Sequence, residues 1–229
     1  MSLAFKTRNA KGKKFPSWRE QQTLQFLTYI SLYASDLRPA RENGRLDLTA
    51  QAMRNLTELC IWVEFCAVSE ANAKHFYDDA ARDMREMLEA VQGIYTEFNK
   101  APEAKLAGMI DKLKEDAPTK LNIPDIDAEH TPVNNAAGIL GKQFAHGKVY
   151  KAASKFAHPT ALLLCMKEPP AGMLDSFYDM GASGASAALR HLEGMIRKEY
   201  PDFLVRKLSP NETKTTERSD LHIHRLSLA

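Results

Sequence analysis

The sequence predicts an all-α fold, an antiparallel helical bundle with extra helices, and three observations support this prediction. No proline occurs between Pro39 and Pro102, and proline is disfavoured in helix interiors. Apolar residues recur every three or four positions through the long segments, as on one face of a helix. Strand-like alternation of apolar and polar residues is confined to the region after Pro201. Helices therefore dominate, and a bundle is their usual arrangement.

The first helix is expected to begin at a capping box formed by Ser17 and Glu20, and to end at Pro39. The long proline-free region that follows exceeds the usual length of one helix, so we expect a break near Ser69 to Asn72. The helix before that break is apolar nearly all round in its second half and should lie centrally in the fold.

The second half of the chain is predicted to contain three further helical regions. A short charged helix over 103–115 is followed by an irregular connection that contains three prolines. Helix formation resumes at Val133, with Phe144 on its core stripe, and is expected to pass a weak point at Gly147 and reach Met166. In the last helix, Gly181 and Gly184 indicate either close contact with a neighbouring helix or a hinge.

The domain organisation follows from composition. We expect a basic flexible N-terminal segment at 1–14, a helical bundle domain at 15–200, and a C-terminal tail or small hairpin at 201–229. The N-terminal segment is either a solvated tail or an arm that steers phosphate groups. The net charge of the chain is only +2, which argues against a polycation that coats nucleic acid.

Cysteine content and hydropathy indicate the cellular compartment of the protein. Cys60, Cys66 and Cys165 lie in apolar surroundings without CxxC spacing, so we expect buried free thiols in a reducing compartment. The N-terminus has no apolar signal-peptide core, and the apolar runs are shorter than the ~20 residues that cross a membrane. The expectation is a cytoplasmic protein with no membrane partner.

Polar residues at four-residue spacing give the best indication of function. If the helix is continuous through Gly147, one ridge contains His146, Tyr150, Ser154 and His158. In the central helix, Arg54 and Glu58 form a second pair at the same spacing. The pair is expected to be partly buried, where it needs polar partners beyond itself. The pair and the ridge can meet across the bundle and form a polar pocket.

Proline at position 159 marks the end of this ridge. It lacks an N–H group and clashes with the carbonyl of Lys155, so the helix should kink or restart at His158. Two interpretations of His158 remain open at this point. It is either a functional residue or a hydrogen-bonded core histidine at a helix joint.

Three segments, "RNLTELCIWVEF", "FYDDAARDM" and "YKAASKFAHPT", resemble an uncharacterised prokaryotic family allied to the HEPN superfamily of helical bundles. The resemblance covers roughly Leu48 to Met166. Many HEPN proteins are metal-independent ribonucleases of toxin–antitoxin and phage-defence systems, and their arginine–histidine motif is usually completed across a homodimer. The resemblance implies that His158 assists attack of a 2′-hydroxyl on the adjacent phosphate as general acid or base.

The HEPN motif has four to six residues between its arginine and its histidine, and this chain departs from it. With six intervening residues, the position before His158 is Lys151, which keeps the charge but loses bidentate phosphate geometry. Arg218 and His224 have the motif spacing but lie in the polar tail, and we interpret that match as chance. The predicted catalytic residues are His158, Lys151, Ser154 and Tyr150, and the predicted binding residues are Arg54, Glu58, His146 and Lys155.

The functional hypothesis is therefore a HEPN-like ribonuclease or RNA-binding protein of a toxin or defence system, without cofactor or metal. Its expected partners are a second copy of the chain, RNA and an antitoxin-like protein. The alternative is a non-catalytic helical module that binds a protein partner or small ligand. His222 and His224 lack a third metal ligand. An acidic group on a helix, interpreted as a solvated face, contains Asp78, Asp79 and Asp83.

Overall fold

The computed structural model describes residues 17–97, 104–158, 160, 162, 165–168 and 170–199. The regular structure of these residues is helical, which confirms the all-α bundle. The helices are α1 Trp18–Glu42, α2 Leu46–Val68, α3 Glu70–Glu97, α4 Ala104–Thr119, α5 Val133–Ile139, α6 Gln143–Ala157 and α7 Met173–Glu199. The predictions for 1–14 and 201–229, including Arg218, His222 and His224, lie outside the described residues.

Helix α2 is central, as its sequence predicted. It packs against α1, α3, α5 and α6, and the side chains of Met53, Leu56 and Val63 are fully buried. None of the described helices combines the length and the apolar character that a bilayer crossing requires. Contacts divide the chain into units at 1–192 and 193–229, and the described part of the second unit is the end of α7.

The start of α1 was predicted correctly and its end was not. The Ser17 hydroxyl accepts from the Glu20 amide at 3.2 Å, and the Glu20 carboxylate accepts from the Ser17 amide at 2.8 Å, which completes the capping box. Helix α1 then continues through Pro39 to Glu42. Because Leu37 and Ala40 are buried on both sides of the proline, their packing offsets the hydrogen bond that it removes.

A single extended residue, Ser69, separates α2 from α3 (φ −154°, ψ 156°), where a break was predicted. The spacing of apolar residues places Met84 and Met87 on the core face of α3, but in the structure both are about half exposed whereas Asp79 and Arg82 are buried. Arg82 donates to Asp79 at 2.7 Å and twice to a loop carbonyl at 3.0 and 3.1 Å. The expectation of a solvated acidic face is therefore wrong for Asp79, which is buried and ion-paired beside the loop at 120–132, whereas Asp83 is exposed as expected.

The helix predicted from Val133 to Met166 is interrupted, and the expected weak point at Gly147 is wrong. The break occurs at Gly141, whose φ of 69° is a left-handed conformation that glycine adopts without a steric penalty. The break moves Phe144 out of the core, where it is 79% exposed. Gly147 lies inside α6. Helix α6 ends at Ala157, well before Met166, as proline at 159 requires.

The three cysteines are free, and their environments differ. Cys66 is buried, and burial raises the pKa of its thiol to about 12. Burial also raises the pKa of Cys60, which is half-buried. Cys165 is exposed, so the expectation of a buried thiol is wrong for that residue.

Close helix contact, not a hinge, explains the glycines of α7. A Cβ atom at Gly181 would lie 2.9 Å from a methyl group of Leu37 and 3.2 Å from the Cα of Met53. At Gly184 it would lie 3.4 Å from backbone atoms of Leu56. Helix α7 thus packs so closely against α2 at Gly181 and Gly184 that a Cβ atom at either position would crowd the neighbouring helix.

Gly181→Ala is expected to lower the free energy of unfolding by about 1–3 kcal/mol, because the added methyl group overpacks the contact with Leu37 and Met53. Gly93→Ala in α3 is the matched control, since a methyl group there would meet no neighbouring helix or loop of the described chain within 4 Å. That change should stabilise the protein by about 0.4–1 kcal/mol. Urea unfolding of both variants measures the difference, and equal effects would contradict the close approach of α7.

Candidate functional site

Helices α2 and α6 bring a cation, a phenol and an imidazole into direct contact. Nη1 of Arg54 lies 3.2 Å from Nε2 of His158, and Nη2 donates to the Tyr150 hydroxyl at 3.1 Å. Nε donates to Glu58 at 3.0 Å on the same helix. We call Arg54, Glu58, Tyr150 and His158 the Arg54 cluster. The spacing of these residues suggested that the pair and the ridge can meet, and the structure brings them together.

The guanidinium of Arg54 determines the role of His158 in their contact. Arginine has only hydrogen-bond donors, so Nε2 of His158 accepts from Nη1 of Arg54. The guanidinium carbon also lies 4.3 Å from the centre of the Tyr150 ring, a cation–π contact. Arg54 is thus held on three sides in one orientation.

The end of α6 sets the direction of the His158 side chain. Helix α6 stops at Ala157, and His158 is extended (φ −122°, ψ 155°) and exposed. The Thr160 hydroxyl donates to the Lys155 carbonyl at 2.6 Å, the carbonyl that proline at 159 prevents from accepting a helical bond. The joint is therefore stabilised by Thr160, while His158 points to Arg54.

Two predicted site residues, Lys151 and Lys155, are exposed on α6. The cation that contacts His158 is Arg54, from a different helix, and not the lysine at the HEPN spacing. Ser154 and His146 lie deeper in the bundle. Within the described part of the chain, the Ser154 hydroxyl and both ring nitrogens of His146 are buried without a hydrogen-bond partner.

A family model described as "Family of unknown function (DUF5677)" matches residues 24–167, which is more than half of the 229 residues. The chain belongs to this family. The matched region of this DUF5677 chain contains the whole Arg54 cluster and ends before α7. No curated protein matches the chain, and no solved structure matches it.

His146 is a buried histidine of the DUF5677 chain that lies next to Tyr150 on α6. It is 5% exposed, and its ring centre lies 5.7 Å from that of Tyr150. Burial lowers the pKa of His146; Glu58 opposes this effect and Arg54 adds to it. The native ring therefore takes up a proton only at a pH below the usual pKa of histidine.

This burial predicts acid sensitivity. The unfolded chain binds a proton at His146 near the ordinary histidine pKa of about 6.5, whereas the native ring binds it only at lower pH. Stability should thus fall as the pH decreases below about 6.5, until the native pKa is passed. His146→Phe keeps a ring without a titrating group. Its melting temperature should fall less than that of the wild type between about pH 8 and about pH 5.5; equal falls would contradict the prediction.

A cavity of about 340 Å³ adjoins the Arg54 cluster, because Glu58 is one of its lining residues. Trp62, Phe76, Asp83 and His130 also line the cavity. The sequence did not indicate Trp62, Phe76 or His130 as site residues, and Asp83 was interpreted as part of a solvated face. The available signal was that Trp62 continues the four-residue spacing of Arg54 and Glu58 along α2. His130 lies in the proline-rich loop and had no pattern of its own.

Proposed function

We propose that this DUF5677 protein is a cytoplasmic HEPN-like ribonuclease, homodimeric, that cleaves RNA without a metal ion in a toxin or defence system. The observation that carries the proposal is the 3.2 Å contact between the Arg54 guanidinium and the exposed His158 imidazole. Phosphodiester cleavage needs a cation at the phosphate and a proton-transfer group beside it. The partly buried Arg54 and the exposed His158 supply these two groups side by side.

Arg54 has the donors that phosphate binding requires. Three of the five guanidinium N–H groups serve Glu58, Tyr150 and His158. One N–H group therefore remains on each terminal nitrogen, and two parallel donors suit two phosphate oxygens. Lysine at position 151 offers no such fork. Arg54 is distant from His158 in the sequence but close to it in the fold, so it can take the role that the motif arginine has in HEPN proteins.

His158 and Tyr150 can manage the protons of the reaction. The single lone pair of His158 Nε2 accepts from Arg54 in the free protein. When RNA binds, this Arg54 N–H group turns to the phosphate, and Nε2 takes the proton of the RNA 2′-hydroxyl. The 2′ oxygen forms a bond to phosphorus, and the bond from phosphorus to the 5′ oxygen breaks. The Tyr150 hydroxyl, which accepts from Arg54, gives its proton to the departing 5′ oxygen. Proton exchange with water then restores both side chains, and the product carries a 2′,3′-cyclic phosphate.

Charge around the site supports an RNA substrate and an antitoxin-like partner. Lys151 and Lys155 are exposed on the helix that carries Tyr150, so a single strand that reaches Arg54 passes further positive charge. An antitoxin-like protein that covered these groups would block the strand. The HEPN resemblance implies a homodimer, in which two copies of the cluster face a shared substrate.

The test is cleavage of single-stranded RNA by the purified full chain in the presence of EDTA. We expect fragments with 2′,3′-cyclic phosphate ends, and no cleavage of a strand with a 2′-deoxy residue at the cut position. RNA binding should weaken steeply with salt, because phosphate contacts release counterions. Cleavage that requires a divalent ion, or the absence of any cleavage, would contradict the proposal.

A second candidate function is a non-catalytic module that binds a small ligand, and the cavity beside Glu58 favours it. Trp62 and Phe76 offer aromatic surface, and Asp83 and His130 offer polar groups, a combination typical of ligand sites. This candidate is tested by incubating the protein with a library of small amine-bearing ligands and measuring its thermal stabilisation. His130→Ala should abolish such stabilisation, whereas His158→Ala should leave it unchanged.

A further inference from the structure

A second group of reactive side chains lies where α2 meets α7. Cys60 and Glu64 are four residues apart on α2, and His191 approaches them from α7. One ligand atom from each of these residues lies within 4.8 Å of the other two. We call these three residues the Cys60 cluster. Nothing in the proposed ribonuclease mechanism uses them.

The Cys60 cluster is separate from the Arg54 cluster. Successive residues of an α-helix are rotated by about 100°, so Cys60 lies about 200° around α2 from Glu58. The two clusters therefore occupy nearly opposite faces of one helix. His191 also lies beyond the region that the family model matches.

We propose that the Cys60 cluster binds a zinc ion through the thiolate of Cys60, the carboxylate of Glu64 and Nε2 of His191, with water as the fourth ligand. Thiolate, imidazole and carboxylate are the three protein ligands of zinc. Two ligands four residues apart on one helix, with the third from a neighbouring element, is an established spacing for zinc.

The distances within the cluster agree with zinc geometry. His191 Nε2 lies 3.4 Å from Glu64 Oε2, which is longer than a charge-assisted hydrogen bond of about 2.7–2.9 Å. Two such ligands on a tetrahedral zinc ion, each about 2.1 Å from the metal, lie roughly 3.4 Å apart. The imidazole and the carboxylate are therefore already spaced for a shared ion.

Lys142 is a cation that already contacts Glu64 at this site. Its ammonium contacts Oε2 of Glu64, and so neutralises the carboxylate when no metal is bound. An ionised carboxylate has about four lone-pair positions, so Glu64 can keep Lys142 while it binds zinc. Binding forms the zinc–sulfur bond and releases the thiol proton of Cys60 to the buffer.

Ligand chemistry selects this cluster over another one. Asp83, Glu86 and His130 also lie within ligand reach of one another, but two of the three are carboxylates, and Asp83 is well exposed. Thiolate and imidazole favour zinc, whereas oxygen ligands favour magnesium or calcium. The prediction is therefore specific to Cys60 and His191.

Zinc competition with a chromophoric chelator tests the proposal on the full chain. We expect one equivalent of zinc per chain, and Cys60→Ser should weaken the zinc affinity by at least about 100-fold, since even outer-shell changes cost 10–100-fold. His191→Ala should do the same. Cys165→Ser is the matched control, because this exposed cysteine lies outside the cluster. Its zinc affinity should equal that of the wild type.

Cobalt supplies an independent measurement. The cobalt-substituted chain should show thiolate-to-metal charge-transfer absorption that disappears in Cys60→Ser, and circular dichroism checks that each variant is folded. Unchanged zinc affinity in folded Cys60→Ser, or the absence of zinc uptake by the wild type, overturns the proposal. Zinc binding that is lost in His130→Ala and kept in Cys60→Ser also overturns it. RNA cleavage in EDTA is a separate result, so the two proposals fail independently.

Discussion

His158→Ala is expected to lower the rate of RNA cleavage by about 10²–10⁴-fold while the fold remains intact. The imidazole is exposed at the end of α6 and contacts Arg54, so its removal takes away the proton acceptor without opening a cavity. A buried histidine at a helix joint would behave differently, because its loss would leave a partner unsatisfied and lower stability by about 1–3 kcal/mol. Initial rates and thermal melts on the same sample distinguish the two outcomes.

The control for this variant is His75→Ala. His75 lies on α3, is partly exposed, and contacts Asp79 at 3.6 Å. The control therefore also removes an imidazole that has a charged neighbour, but at a distance from the Arg54 cluster along the chain. We expect its cleavage rate to equal that of the wild type. A loss of stability in His158→Ala with no change in cleavage would show that the residue is structural.

Arg54→Lys is expected to lower cleavage by about 10²–10³-fold, the usual effect of losing one preorganised donor at a developing charge. Lysine keeps the charge and the ion pair with Glu58, but it cannot bind two phosphate oxygens in parallel. The loss should appear mainly in kcat if the fork acts in the transition state. Arg54→Ala should in addition reduce the salt dependence of RNA binding, by roughly 0.7 in the logarithmic slope for one phosphate contact.

Lys151→Arg is the companion variant, because Lys151 is the residue at the HEPN motif spacing. If Arg54 is the phosphate-binding cation, this change should leave the cleavage rate close to that of the wild type. A gain of cleavage in Lys151→Arg together with normal activity in Arg54→Lys would assign the cation to position 151. The two variants therefore decide whether the phosphate-binding cation is Lys151, at the motif spacing, or Arg54, in contact with His158.

Local signals in the sequence were sufficient for several features of the fold. The Ser17 and Glu20 side chains can form a capping box only at a helix start, and the structure has one there. The break at Ser69 followed from helix length. Both features depend on residues that are close in the sequence, so a single sequence reveals them. At Gly181 the cost of glycine in a helix indicated either a close contact or a hinge, and only the packing against Leu37 and Met53 decides between them.

Other features depend on tertiary packing and were predicted wrongly. Pro39 lies inside α1 because buried residues flank it, and no local pattern reveals that burial. Gly141 and Gly147 look alike in sequence, but only Gly141 adopts a positive φ. Met84 and Met87 have the spacing of a core face, but the α3 side chain that holds the loop at 120–132 is Arg82.

The candidate site was legible as two separate patterns. The sequence shows the spacing of Arg54 and Glu58 and the spacing of Tyr150 and His158. It does not show which of these side chains contact each other, because Arg54 and His158 are 104 residues apart and only the packing of α2 against α6 joins them. The Cys60 cluster was missed for the same reason, since His191 comes from the last helix.

The same separation has a consequence for synthesis of the chain. A ribosome adds Arg54 long before His158, and a contact between distant residues forms only after the intervening chain can close a loop. A growing polypeptide therefore holds the cation without its histidine through α3, α4 and α5. If the pair cleaves RNA, the nascent protein is harmless to the message and ribosome that produce it until α6 has been made and has docked.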